Sequence, residues 1–312
     1  MACLTVPVFA DMRQKEAIAL RDKNKPDSLF RYRSLENERE FRNIERQQVW
    51  LSQPLYVNDP FDSSFSILHQ EFILPKAVQQ ERIAVLSQIV GDKLSEAEIA
   101  ELARFPEILD ERIGLLYRKA FPGIANLNLD PIRKVYESFR AEHVDKLNEF
   151  LKQNLSVCCF SETCDSMLMW THYADEHRGC CIEFDVRGQF IPDAVGYLFP
   201  VIYKVELFDV TPYYSAIAAG GGNNWANMLA ACHKRKDWDY EREWRIVFPF
   251  SRPDGKDLFS IPIKSITAGL RADRKVQERL FEIAQKLQVP FYKALKSRTE
   301  AKLFFEPVTQ LA

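Results

Sequence analysis

Two strand-rich segments, residues 29–62 and 155–295, stand on either side of about 90 residues that read almost wholly as helix. This interruption constrains the fold more than any other feature. Strands of mixed kind combined with a helical insert indicate an α+β architecture. The expected organisation is a core of residues 1–62 and 155–312, with a helical insertion at 63–154 that serves as a lid or a target-recognition module.

Local signals place the elements. Residues 9–23 and 36–51 are charged and helical in character, and LFRYRSL (29–35) between them alternates like a strand. YVNDPFD (56–62) carries the breakers Asn58, Asp59 and Pro60 and reads as a turn. Ser95 with Glu98 forms a capping box, flanked by Leu94 and Ile99 as a staple. Asp130-Pro131 opens a long helix. LSVCCFSE (155–162), CCIEFDV, LFPVIYKVELF (198–208) and YEREWRIVFPF read as strands. DSMLMWTHYADEH reads as a short helix stopped by Gly179. The segment FSIPIKSITAG, a helix over 273–287 and VPFYKAL close the chain in β-α-β order.

Composition narrows the partners. The net charge is −2, so no global basic field points to nucleic acid or an anionic membrane. No apolar run approaches the roughly 20 residues of a membrane span. The N-terminus has no basic n-region followed by a long apolar stretch, so no secretory signal is evident. The seven cysteines include two adjacent pairs and sit mostly in strand-like runs, as reduced thiols of a cytoplasmic protein do. A zinc site from Cys159, Cys164, Cys180 and His172 or His177 lacks any CxxC pair and is not favoured. GGGNN (220–224) is too polar and too isolated for a phosphate loop.

Polar residues that interrupt apolar strands are the candidates for chemistry, because a buried unpaired polar group costs several kcal/mol. Arg31 lies between Phe30 and Tyr32. Ser161 ends VCCFS. Glu241 and Glu243 stand two apart in DYEREWRIVF, where a strand would put both on one face. As a surface reading, Arg31 pairs with an outside carboxylate and the glutamates are solvated. Trp170, His172 and Tyr173 belong to a helix that either packs its aromatics on the sheet or lines a pocket beside Ser161. A Ser161–His172–Asp175 hydrolase has no GxSxG elbow to support it. Lys234, Arg235 and Lys236 form a basic run that is either a solvated helix end or a loop facing an acidic substrate.

These residues carry a resemblance. Phe30-Arg31 in a first strand, Phe160-Ser161 in a second and Glu241-Arg242-Glu243 in a late one resemble the R-S-E class of mono-ADP-ribosyltransferases over roughly 150 residues. FRYRSL, NDPFD, CFSE, MWTHYADEHRGCCIEFD and YEREWR are also similar to a widespread bacterial domain family of unassigned function. Members of that family often carry His or Lys at the position of Arg31. The resemblance to the R-S-E class implies an arginine of a target protein as acceptor, with glutamate dehydrogenase as one such target. The usual Ser-Thr-Ser is replaced here by Phe160-Ser161-Glu162, which leaves the role of the serine open.

The resemblance implies a split mixed β-sheet core and NAD as substrate. The nicotinamide–ribose bond breaks through an oxocarbenium-like state, as in glycoside hydrolysis. Glu243 would stabilise that charge and hold the ribose, and Ser161 would hold Glu243. Glu241 would orient or deprotonate an incoming arginine. Arg31, with Tyr32, would bind NAD through a phosphate, and Trp170, His172 or Tyr173 would sit against nicotinamide. Trp238 and Tyr240 would meet the target protein. The resemblance also implies a bacterial effector or toxin, delivered from the cytoplasm into a host cell. Alternatives are a nucleic-acid acceptor, which the net charge disfavours, a non-catalytic binding or defence module, and an NAD glycohydrolase. Arg245, two residues beyond Glu243, is expected to relieve the repulsion within the glutamate pair.

Overall fold

The computed structural model describes residues 14–67, 76–105, 110–124, 130–187, 197–213, 225–248 and 258–310. The GGGNN stretch at 220–224 and the start of the first expected helix before residue 14 lie outside these. The architecture is α+β with a large mixed sheet. The chain divides into two compact units, one of residues 1–63, 152–206 and 231–312, the other of 64–151 and 207–230.

The first unit holds eight strands in one sheet. They are β1 Ser28–Arg33, β2 Ser156–Ser161, β3 Cys180–Asp185, β4 Leu198–Pro200, β5 Glu243–Phe248, β6 Ile263–Ala268, β7 Phe291–Lys296 and β8 Leu303–Pro307. Their order across the sheet is β8-β7-β6-β3-β1-β2-β5-β4. Only β6 and β7 pair in parallel, joined by the helix Arg274–Leu287. Asp273 caps that helix by accepting from the Val276 amide at 2.8 Å. Its buried Leu280, Ile283 and Ala284 pack with Phe41 and Ile44 of the helix Glu38–Glu45. Together they cover one sheet face, made of Leu29, Phe160, Ile182, Phe184, Trp244 and Ile246. Each large apolar side chain so enclosed stabilises the unit by about 1.5–3 kcal/mol. The alternate residues Tyr32 and Cys181 face the other way, against Met169, Trp170 and Ala174.

One joint in this sheet is weak. β1 is in register with β3 over six residues, Ser28↔Asp185 to Arg33↔Cys180. β1 meets β2 only at Phe30↔Ser161. Further along β2, Val157 bonds instead to Ser52, through two backbone hydrogen bonds of 2.8 Å. β1 and β2 therefore part company, and a space opens between them.

Three elements differ from the sequence reading. The expected helix over 36–51 is Glu38–Glu45, because Gln47 takes a left-handed conformation (φ 52°) and the chain continues as the strand Gln48–Trp50. LFPVIYKVELF is not one strand but Leu198–Pro200, Ile202–Lys204 and Phe208–Asp209. Pro200 has no amide to donate, and at Val201 the chain changes partner: Val201 donates to the Glu243 carbonyl, Ile202 to that of Cys232. The helix over 165–177 is Met167–Tyr173, after which Asp175, Glu176 and His177 all have positive φ.

The second unit is helical, with Lys76–Val90, Glu96–Leu102, Glu111–Ala120 and most of Asp130–Asn154. The capping box is formed: Ser95 N donates to Glu98 Oε2 at 2.8 Å and Glu98 N to Ser95 Oγ at 3.3 Å. Leu94 and Ile99 are buried in the same cluster as Leu102, Ile113 and Leu116. Residues 207–230, which the sequence reading kept with the sheet, belong to this unit, where Phe208–Asp209 pairs in parallel with Phe65–Ser66. No helix among the described residues is long and apolar enough to cross a membrane.

Candidate functional site

The space between β1 and β2 is a cavity of about 450 Å³. Phe30, Arg31, Tyr32 and Arg33 line it from β1, Cys159 and Ser161 from β2, and Glu243 and Arg245 from β5. Asp62, Met169, Tyr173, Lys234 and Glu241 complete its wall. The sheet register puts Phe30, Ser161 and Glu243 side by side across three strands.

Glu241 and Glu243 do not share a strand face. Glu241 ends the 3₁₀ helix Lys236–Glu241, Arg242 turns the chain in a left-handed conformation (φ 46°, ψ 54°), and Glu243 opens β5. The sharp turn lets both carboxylates reach the cavity from different backbone directions. Both are buried, at 2% and 5% exposure, so the solvated-glutamate reading does not hold.

A buried ionic group holds them. Arg245 grips Glu243 with two hydrogen bonds, Nε to Oε1 at 2.7 Å and NH2 to Oε2 at 2.9 Å. Its other edge grips Asp62 with two of 2.6 Å. Arg245 also donates to the Ala231 carbonyl and the Ser63 hydroxyl. Lys234 Nζ lies 2.5 Å from Glu241 Oε2, 3.3 Å from Glu243 Oε2 and 3.6 Å from Asp62 Oδ2. The Tyr173 hydroxyl donates to Glu241 Oε1 at 2.6 Å. Among these five side chains three carboxylates thus meet two cations, one negative charge in excess within the group. Burial is the largest influence on Glu243 and raises its pKa, but Arg245 and Lys234 overcome it and hold the carboxyl below the ordinary range. For Glu241, burial and then the Glu243 charge raise the pKa, and Lys234 and Tyr173 offset this only in part.

The Ser161 hydroxyl donates to the backbone carbonyl of Glu241 at 2.6 Å, so it fixes the turn between the glutamates rather than a carboxylate. With that proton committed and Asp175 paired to Arg178, a Ser161–His172–Asp175 triad is not assembled. Arg31 donates to Cys158 Sγ at 3.0 Å and the Trp50 carbonyl at 3.5 Å, and meets no carboxylate at ion-pair distance among the described residues. Burial therefore lowers its pKa. Tyr32 lines the cavity and donates its hydroxyl to the Thr163 carbonyl at 2.9 Å.

Trp170 is fully enclosed, its indole N–H bonded to the Cys164 carbonyl at 2.8 Å and its ring edge-on to Tyr32. It offers no face to a ligand and packs behind the site instead. His172 is exposed, near Tyr173 and Tyr240, and is not part of the cavity wall. Trp238 and Tyr240 are half-buried on the 3₁₀ helix, with the Trp238 ring 4.9 Å from Lys234 Nζ. Sequence reasoning passed over Asp62 and Tyr203, whose hydroxyl accepts from the Glu243 amide at 2.8 Å, and read Lys234 only within a basic run that was a solvated helix end or a loop facing an acidic substrate. Asp62 was hidden in a turn motif. Lys234 looked solvated because its neighbours Arg235 and Lys236 are, although a strand over His233–Arg235 would have turned it inward. Among the described residues, no three His, Cys, Asp or Glu side chains are grouped to hold a metal.

The fold and the site together define an α+β protein with a buried, unequal ion cluster at one end of a cavity in its sheet. Residues 169–246 are similar to the family described as "Protein of unknown function (DUF2971)". That stretch contains Tyr173, Lys234, Glu241, Glu243 and Arg245, and excludes Arg31, Asp62 and Ser161. No curated protein and no solved structure matches the chain.

Proposed function

We propose that this protein is an NAD-dependent mono-ADP-ribosyltransferase that moves ADP-ribose to an arginine of a target protein and releases nicotinamide. The observation that carries this reading is the polarity of the cavity: Arg31 lines it without a carboxylate partner, while the Glu241–Glu243 group lines it with a carboxylate in excess. NAD is polar in the same sense, with an anionic pyrophosphate and a cationic nicotinamide ring. The parting of β1 and β2 fits the split sheet that the sequence resemblance implies.

In this reading Arg31 binds a phosphate through its planar fork. Glu243, kept ionised by Arg245, faces the positive charge that develops on the ribose as the C–N bond to nicotinamide breaks. The bonding electrons leave with nicotinamide, which departs neutral. Glu241 orients the acceptor guanidinium and takes its proton as the nitrogen bonds to the ribose carbon, and its raised pKa suits a base. Trp238 and Tyr240 border the approach of the target.

Incubation with labelled NAD and either a cell lysate or glutamate dehydrogenase is expected to label a protein band. Glu243→Ala should reduce labelling by about 10²–10³-fold. Equal labelling by wild type and variant refutes the role of Glu243. A melting temperature that does not rise with added NAD removes NAD as ligand.

A further inference from the structure

Lys234 stands where a solvated cation is expected and is instead enclosed. Of the run Lys234-Arg235-Lys236, Arg235 and Lys236 are exposed and pair with Asp237 and Asp239, whereas Lys234 is 7% exposed. The cause is local. His233–Arg235 is a strand paired in parallel with Ile202–Lys204, and strand alternation turns its middle residue opposite to Arg235. A buried lysine is rare without partners, and this one has three carboxylates. Burial works to lower its pKa, but Glu243, Glu241 and Asp62 together hold the ammonium above its ordinary value.

The two cations of the cluster have different duties. Arg245 binds Glu243 and Asp62 and makes no contact with Glu241. Lys234 is the one cation that Glu241 meets among the described residues. Glu241 would otherwise be anchored only by the Tyr173 hydroxyl, and burial and the Glu243 charge both favour its neutral form. An ammonium suits the position because the three N–H groups of one compact nitrogen can be shared among the three carboxylates.

We infer that Lys234 is a positioning residue of this site, which ties Glu241 to the fixed Glu243–Arg245–Asp62 group and keeps its carboxylate ionised and directed at the cavity. The inference rests on the proposed function only where it treats Glu241 as the group that meets the acceptor; the contact of Lys234 with Glu241 does not depend on it. The titratable groups that face Glu241 are Tyr173, Tyr203, Lys234, Tyr240 and Glu243, with Asp62 and Arg245 behind them.

The test is a ¹³C titration of glutamate side-chain carboxyls in the ligand-free full chain, with Glu241→Gln assigning the signal. Lys234→Met is expected to raise the Glu241 midpoint by about one pH unit or more. The acid limb of the ADP-ribosyl transfer profile should move up with it. Lys234→Arg, which restores the charge, should return the midpoint most of the way. A folded Lys234→Met protein with an unmoved midpoint overturns the inference. If that variant does not fold, the ¹⁵N signal of Lys234 in the wild type decides: an ammonium that persists past the ordinary lysine midpoint of about 10.4 supports the inference, and one that titrates at or below it overturns it. A wild type that transfers nothing from NAD while the midpoint still moves refutes the proposed function and leaves the role of Lys234 standing.

Discussion

Replacing Arg245 with methionine tests the ion cluster most directly. Arg245 is 1% exposed and gives hydrogen bonds to Glu243, Asp62, Ser63 and Ala231. Methionine fills similar space but leaves three buried carboxylates sharing Lys234 without the guanidinium that held two of them. Removing one partner of a buried ion pair costs about 3–5 kcal/mol, a large share of the ~5–15 kcal/mol that holds a folded protein together. With a urea m value of about 3 kcal/mol/M, the midpoint should fall by about 1–1.7 M. The loss should depend on pH, and its sign follows from Glu243. In the wild type the folded pKa of Glu243 is depressed. Its stabilisation is therefore fully present above the unfolded value of about 4.3 and lost as pH falls toward the folded value. Without Arg245, burial dominates and the folded pKa lies above about 4.3, so stability is lost as pH rises through the unfolded value instead. The gap between wild type and variant should be wider at pH 8 than at pH 5. Urea unfolding followed by tryptophan fluorescence at both values reads this. A loss below about 1 kcal/mol, or the same loss at both pH values, refutes the claim that Arg245 compensates these buried carboxylates.

Further outcomes follow from single contacts. Trp170→Ala should lower stability by about 3–5 kcal/mol in chemical denaturation, yet leave the NAD dissociation constant of the folded protein unchanged, because the indole reaches no cavity wall. Arg31→Ala should weaken NAD binding about 10-fold or more by calorimetry, without lowering the melting temperature, because this half-buried cation has no carboxylate at ion-pair distance to desert. Gly179→Ala should yield little folded protein in an expression and gel-filtration trial, because an added Cβ would overlap the Arg33 carbonyl at the end of β1.

The α+β class, the strand character of LFRYRS and CCIEFD and the capped helix at Ser95 could be read in the sequence because local pattern decides them. The site was only partly legible. Glu241, Glu243, Ser161, Arg31 and Tyr173 stood out as polar residues near apolar runs, and all five line the cavity. Their geometry did not stand out, because one left-handed residue, Arg242, takes Glu241 off the strand. No periodicity argument detects a single positive φ at an arginine. Asp62 and Lys234 belong to the cluster through contacts across 172 positions, from Asp62 to Lys234, and spacing is silent about such pairs. Arg245 is the exception, since a residue two beyond Glu243 on a strand must share its face. For Trp170 both readings stayed open in the sequence, because an aromatic on a short helix looks the same whether it packs behind a site or lines it.

The weak joint between β1 and β2 has a consequence for the birth of the protein. β1 finds its full register not in the strand that opens the cavity with it but in β3, about 150 residues later in the chain. A ribosome adding about 5–20 residues per second reaches β3 roughly 8–30 s after β1 has been made. During that interval Leu29, Phe30 and Tyr32 have no strand to lie against, and the segment is a candidate for chaperone capture. Arg31 can take its place on the cavity wall only once β3 has been made, after β1 has waited for about half of the synthesis, and Lys234, Glu241, Glu243 and Arg245 follow later still.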